Sequence, residues 1–141
     1  MTRVDFYILQ HDRAGAGEQL TCKLTEKAYK LGHQVYINVA SDQQLKQLDD
    51  LLWTYRDGSF LPHERYSAED PAGQPILLGH DVEPDVPNDV LVNLANDIPA
   101  FFSRFNRVVE LVCGNESQRE AARTRYRYYM DRGYTLNTHK L

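Results

Sequence analysis

Short apolar runs alternate along the chain with segments whose apolar residues recur at helical spacing. Residues 4–9 and 34–39 are rich in β-branched and aromatic residues, which predicts two strands. Four apolar residues between these runs recur at helical spacing: Leu20, Leu24, Ala28 and Leu31. A strand, a helix and a strand within the first 40 residues are typical of a parallel crossover.

The same alternation continues to the end of the chain. Ser41 and Gln44 form a capping-box pattern, and a leucine-rich helical face follows them. Further strands are predicted at residues 76–78, 90–94 and 105–112. A brief helix is predicted at residues 97–102, a basic helix at 115–132 and a last strand at 134–138, while residues 64–75 indicate a loop. Together these elements predict one Rossmann-like domain over residues 1–141, with three α/β/α layers around a mainly parallel, mixed sheet.

Charge divides the chain into two unequal parts. The formal net charge is −4, but residues 1–103 hold 8 Lys and Arg against 16 Asp and Glu, whereas residues 104–141 hold 8 against 4. A local basic surface on an acidic protein attracts an acidic partner and repels a bulk polyanion. A short acidic peptide therefore suits this chain better than duplex DNA, and no direct sequence-specific DNA binding is expected.

The cysteines, the histidines and the N-terminus indicate no metal, disulfide or membrane. Cys22 and Cys113 lie far apart and outside any C-x-x-C pattern, and the five histidines show no metal-ligand spacing. The N-terminal residues lack the apolar run of a signal peptide, and no apolar stretch is long enough to cross a bilayer. A cytoplasmic, soluble protein without a cofactor is expected.

The first turn has only part of a dinucleotide-binding pattern. Gly15 and Gly17 follow the first strand, but Leu20 stands where a third glycine is needed. Glu18 places a carboxylate where a phosphate would bind, and neither a P-loop nor a G-x-S-x-G motif occurs. His11 and Asp12 lie at the end of the first strand, where α/β enzymes carry catalytic groups. An uncharacterised nucleotide-binding or hydrolytic enzyme with a site there remains the alternative hypothesis.

The basic helix at residues 115–132 is the strongest candidate binding element. Arg119, Arg123 and Arg127 are spaced i, i+4, i+8, which places them along one stripe of a helix. The acidic residues of this helix are too few to pair all its arginines, and three tyrosines interleave with them. Val112 and Leu136 flank the helix and supply apolar groups. A guanidinium beside an apolar pocket fits a terminal carboxylate that carries an aromatic side chain, although a solvated charged face is the simpler interpretation.

A second cluster lies around the end of the leucine-rich helix. It consists of Trp53, Phe60, Leu61 and Pro62. Tryptophan and phenylalanine are enriched at the centres of protein interfaces, so the cluster is a candidate partner surface. From composition alone, a corner of the hydrophobic core is the favoured interpretation.

Six separated segments form an ordered pattern along the chain. They are Phe6-Tyr-Ile-Leu9, Glu18-Gln-Leu20, Leu48-Asp-Asp-Leu-Leu-Trp53, Ser59-Phe-Leu-Pro-His63, Arg123-x-Arg-Tyr126 and Gly133-Tyr-Thr-Leu-Asn-Thr138. In this order they resemble the chi subunit family of bacterial DNA polymerase III, a family of clamp-loader accessory proteins. The resemblance covers essentially the whole chain.

The resemblance implies a non-enzymatic α/β protein with two partner surfaces. The acidic C-terminal tail of single-stranded DNA-binding protein is expected at Val112, Arg119, Arg123, Tyr126, Leu136 and Thr138. The psi subunit is expected at Trp53, Phe60 and Pro62, a corner for which a helicase is a further candidate partner. The remaining arginines of the helix, Arg125, Arg127 and Arg132, are interpreted as steering or solvated charge.

Overall fold

The computed structural model describes residues 2–10, 13–58, 60–69, 73–85 and 89–141. The strands are β1 (Arg3–Ile8), β2 (Val35–Asn38), β3 (His63–Arg65), β4 (Ile76–Gly79), β5 (Val90–Asn93), β6 (Arg107–Val112) and β7 (Thr135–Lys140). The helices are α1 (Ala16–Lys30), α2 (Asp42–Thr54) and α3 (Glu116–Asp131), with a 3-10 turn at Phe102–Arg104. Among the described residues, no helix has the length and apolar character needed to cross a membrane.

The seven strands form one sheet in the order β3-β4-β2-β5-β6-β1-β7, and every described strand pair is parallel. The predicted three-layer α/β fold is therefore confirmed. β3 overlaps the start of the segment 64–75 for which the sequence predicts a loop, and that prediction is wrong for Glu64 and Arg65. The strand consists of the polar residues His-Glu-Arg at an edge of the sheet, where no apolar alternation is required.

Alternation along the strands divides the core into two layers. In β2, Val35 and Ile37 face the leucines of α1 and α2, whereas Tyr36 between them faces the opposite layer. Successive side chains of a strand point to opposite faces, so one strand supplies both layers. The α3 layer is the more aromatic one, with Phe6, Phe102 and Tyr129 at its centre.

Side-chain caps begin two of the helices, α2 and α3. Ser41 Oγ accepts from the Gln44 backbone N at 3.1 Å, and the Gln44 side chain accepts from the Ala40 backbone N at 2.8 Å. Asn115 and Gln118 form a complete capping box at the start of α3. The brief helix predicted at residues 97–102 is instead a 3-10 turn at Phe102–Arg104, whose Phe102 amide donates to the carbonyl of Pro99 at 3.1 Å.

Candidate functional site

The predicted tail-binding residues lie where α3 covers the edge of the sheet formed by β1, β6 and β7. In the parallel registers, Ile8 pairs with Val112, Val4 with Leu136, and Phe6 with Thr138. Paired residues of parallel strands point to the same face, and Phe6 belongs to the core layer under α3. Val112, Leu136 and Thr138 therefore all lie on the α3 face of the sheet.

Three of the predicted tail-binding residues form a small apolar patch beside α3. Val112, Tyr126 and Leu136 are half-buried and pack against the aromatic core layer. The ring of Tyr126 meets the ring of Phe6 edge-on, with centroids 5.1 Å apart and planes inclined by 65°. This contact fixes the position of the tyrosine ring. Because the ring is only half-buried, a ligand can contact its exposed part without further ordering of the side chain.

Arg119 is held by the backbone at the carboxyl edge of the sheet. Its Nε donates to the carbonyl of Gly114 at 3.2 Å, and its Nη2 donates to the carbonyl of Leu9 at 2.8 Å. A guanidinium has five N–H groups, so several remain for an incoming anion. The structure thus gives Arg119 a fixed position at the end of β1.

Arg123 lies one turn further along α3 and is exposed. Its side chain is 57% accessible and forms an ion pair with Glu116, whose side chain is also mostly in solvent. An exposed ion pair of this kind is weak, because water screens it and two long side chains must be ordered. An incoming carboxylate can therefore replace Glu116 at little cost.

Lys140 adds a cation that the sequence reasoning did not select. It is exposed, and it shares the register position of Ile8, so it lies on the same face as Thr138 and Val112. The position of β7 beside β1 brings it there. The sequence alone does not show that β7 pairs with β1, so it could not indicate that Lys140 lies beside the predicted site.

Arg125 does not carry steering or solvated charge, and that prediction is wrong. Only 6% of its surface is accessible, and its Nε donates to Glu110 Oε1 at 2.9 Å while its Nη1 donates to the Asn96 carbonyl at 2.9 Å. Glu110 also accepts from Tyr129 Oη at 2.7 Å and from Asn93 Nδ2 at 3.1 Å. These bonds connect α3 to β5 and β6 through the interior.

Burial sets the electrostatics of this cluster. It raises the pKa of Glu110, an effect that the charge of Arg125 and the donors of Tyr129 and Asn93 oppose. Burial and the neighbouring Glu110 carboxylate also raise the pKa of Tyr129. The sequence signal for this cluster was Glu110 itself, a charged residue inside the apolar strand β6. A buried carboxylate needs a cationic partner.

Arg127 of α3 and Arg132, which directly follows the helix, are exposed, as expected. The Arg132 guanidinium lies 3.5 Å from the centre of the Tyr128 ring, in a cation–π contact. Arg127 lies on the outer surface of the helix.

The tryptophan cluster is a surface, not a core corner. Trp53 is 47% exposed and Phe60 is 71% exposed, and their ring centroids lie 5.7 Å apart. Only Leu61 of this group is fully buried, while Pro62 is half-buried. The core interpretation is therefore wrong for Trp53 and Phe60.

The buried residue His63 supports this surface from below. Its ring centroid lies 4.2 Å from that of Trp53. Its Nδ1 contacts the Leu61 carbonyl at 2.6 Å, and its Nε2 contacts the Asp49 carbonyl at 2.9 Å. These bonds tie the segment after α2 to the helix, so the exposed rings stand on a fixed base.

The residues of the alternative enzyme site, His11 and Asp12, lie outside the described residues. Within the described part of the chain, no group of three or more His, Cys, Asp or Glu side chains is arranged to hold a metal ion. Glu18, at the start of α1, accepts from Gln44 Nε2 at 3.0 Å, and Gly15 before it adopts φ of 80°. Gly15 is thus the N-cap residue of α1, and Glu18 in the first turn of the helix connects α1 to α2.

The fold and the two surfaces define a class of protein: an all-parallel α/β domain with a basic, aromatic helix on one flank and an exposed tryptophan corner elsewhere. The family model described as "DNA polymerase III chi subunit, HolC" matches residues 1–137. The chain belongs to this family, which confirms the resemblance predicted from the sequence.

Curated relatives agree with this assignment. The DNA polymerase III subunit chi of Pseudomonas aeruginosa is 41% identical over 141 residues, covering 100% of this chain and 98% of the relative. The proteins of the same description from Escherichia coli and Haemophilus influenzae are 29% and 27% identical, over 98% and 94% of this chain.

Proposed function

We propose that this chain is a non-catalytic adaptor of DNA replication, acting in the cytoplasm. One surface binds the acidic C-terminal tail of single-stranded DNA-binding protein, and the Trp53 corner binds the psi subunit, which connects the chain to the clamp loader of DNA polymerase III. The family assignment supports the setting in DNA polymerase III.

The observation that carries the proposal is the environment of Arg123. It is an exposed cation with a weak, exposed partner, and it lies on the same helix as Tyr126, whose ring contributes to the half-buried apolar patch with Val112 and Leu136. Charge and apolar surface side by side suit a peptide that ends in a carboxylate and an aromatic side chain.

The mechanism divides the ligand between two kinds of contact. Arg123 binds the terminal carboxylate or a neighbouring acidic side chain, and Arg119, held by Leu9 and Gly114, adds a fixed positive charge beside it. The aromatic side chain lies against Val112, Tyr126 and Leu136. Thr138 and the newly placed Lys140 form the outer rim on β7.

A titration of a labelled tail peptide tests this proposal. We expect the affinity to fall as salt is raised, because the arginines are exposed to screening. A peptide with an amidated C-terminus should bind more weakly than the free acid. The proposal fails if both peptides bind alike, or if single-stranded DNA without protein binds as tightly as the tail.

The tryptophan corner is proposed as the psi surface, and a helicase is a second candidate occupant. Trp53 and Phe60 present two exposed rings on the base formed by His63, which is the arrangement of an interface anchor. A competition experiment distinguishes the occupants: psi and a helicase that use the same corner must exclude one another.

A further inference from the structure

A groove beside α1 lies on the face of the sheet opposite α3 and has no part in the proposed function. Its floor is formed by Tyr7 of β1, Leu24 and Leu31 along α1, and Leu141 after β7, and it encloses about 490 Å³. Leu31 is 69% exposed and Leu141 is 53% exposed. Two of the large exposed apolar side chains of the described chain therefore meet at one place.

Basic side chains line one side of this groove. Lys23, Lys27 and Lys30 are exposed and spaced i, i+4, i+7 on α1, so they form a stripe along the groove. Lys30 lies 3.7 Å from Glu26, but within the described parts of the chain Lys23 and Lys27 have no ion pair. Arg3 lies in the adjoining cleft, which shares Lys27 with the groove.

The nearby carboxylates are already engaged. Glu26 is buried and bonded to Arg56 at 2.7 Å, while Asp5 is buried and bonded to Arg107 at 2.7 Å. The groove consequently presents positive charge to solvent, although residues 1–103 as a whole are strongly acidic. Three of the eight basic residues in that acidic part line it, namely Lys23, Lys27 and Lys30, and a fourth, Arg3, lies in the adjoining cleft.

We propose that this groove docks an acidic amphipathic segment of a partner protein. Apolar side chains of the segment would cover Leu24, Leu31 and Leu141, and its Asp or Glu residues would pair with Lys23 and Lys27. From Leu20 to Leu31 the groove follows about 16 Å of helix, at roughly 1.5 Å per residue. That length accepts about three helical turns of a partner at 5.4 Å per turn.

The floor favours a protein segment over nucleic acid. Single-stranded nucleic acid stacks its bases on free aromatic rings, whereas this floor is mainly aliphatic. Its one aromatic ring, Tyr7, is stacked on His139 with centroids 4.4 Å apart, and Tyr7 Oη accepts from Arg107 Nη2 at 2.9 Å.

A second copy of the chain fits the groove less well. A stable dimer buries roughly 800 Å² on each partner. A groove about 16 Å long and as wide as one helix, roughly 10 Å, covers far less.

The test uses a synthetic helical peptide with leucines at i, i+3, i+4 and i+7 and glutamates along both flanks. Titration into ¹⁵N-labelled protein should shift the amides of Leu24, Lys27 and Leu31. The Lys23→Glu/Lys27→Glu variant should weaken binding by about tenfold or more, since both rim charges are reversed. Leu31→Ser, at an exposed position, should weaken it severalfold.

Matched controls distinguish this site from general charge attraction. Lys46→Glu reverses an exposed lysine on α2 outside the groove and should leave the affinity unchanged. A peptide of the same composition in scrambled order should bind much more weakly. Circular dichroism checks that each variant is folded.

Four outcomes would overturn the proposal. In the first two, the peptide binds the wild type and the double variant with equal affinity, or the amide shifts are confined to α3. In the third, the scrambled peptide binds as tightly as the designed one. In the fourth, the double variant keeps its affinity for the peptide and loses only the binding of oligo-dT or the self-association of the protein. The last outcome would assign the groove to nucleic acid or to a second copy. These measurements involve neither the tail peptide nor the Arg123 surface. The adaptor proposal is therefore tested independently of the groove.

Discussion

Arg123 and Arg125 lie two residues apart on α3 and have opposite environments. The Arg123 side chain is exposed and pairs with an exposed glutamate, whereas Arg125 is buried and pairs with the buried Glu110. Two residues turn a helix by about 200°, so neighbours of the same type face solvent and core. Burial, more than residue type, decides whether an arginine is available to a ligand.

The largest effect is expected from Arg125→Ala. It leaves the Glu110 carboxylate buried without its cation, so we expect the free energy of unfolding in urea to fall by about 3–5 kcal/mol. Arg123→Ala, the matched control, should change stability by only about 0–1 kcal/mol, since it removes an exposed pair. Equal losses in the two variants would show that the comparison is wrong.

Trp53→Ala tests whether the two partner surfaces are separate. Loss of an exposed aromatic anchor should weaken psi binding by about 2–4 kcal/mol, while tail-peptide affinity stays the same. Isothermal titration with each partner measures both. A folded variant that loses both partners would contradict the two-surface picture, and an unfolded one would show that Trp53 contributes more to stability than to partner binding.

Glu116→Gln should have a smaller effect of the opposite sign. It removes the partner of Arg123, so we expect tail affinity to rise by about 0.2–1 kcal/mol, the worth of an exposed ion pair. Glu120→Gln removes another exposed acid of α3, one that takes no part in the ion pair between Arg123 and Glu116, and serves as the matched variant. The comparison is contradicted if Glu116→Gln lowers the affinity.

The smallest expected effect is on the pH dependence of stability, and it comes from Asp5. This carboxylate lies on the face of the sheet opposite Glu110 and α3. Burial opposes its ionisation, but the hydrogen bonds from Arg107 and His139 and the nearby charges outweigh burial and lower its pKa below the ordinary 3.8. The ionised Asp5 therefore contributes stability above pH 3.8 that is lost as the pH falls through the lowered pKa.

Urea unfolding at several pH values measures this contribution. The wild type should lose more stability on acidification below pH 3.8 than Asp5→Asn does. Equal losses would show that the pairs of Asp5 do not favour its charged form.

The local patterns of the chain predicted most of the fold. Apolar spacing located β2 and α2, and the capping-box residues Ser41 and Gln44 located the start of α2, because these signals depend on residues close in sequence. The polar edge strand β3 had no such signal.

The site was less predictable, because it depends on the order of the strands. Val112 and Leu136 lie on one surface since β1 separates β6 from β7, a long-range arrangement that no local pattern specifies. The burial of Arg125 follows from its angle on α3 and from Glu110 in β6, and neither residue indicates it alone.

The most direct test of the account is the affinity of a tail peptide for Arg123→Ala, with Arg127→Ala as the matched loss of an exposed arginine on the same helix. We expect Arg123→Ala to weaken binding by about 1.5–3 kcal/mol, the worth of a charged hydrogen bond, and Arg127→Ala to change it little. Unchanged affinity in Arg123→Ala, or equal losses in both variants, would contradict the assignment of the tail to this surface.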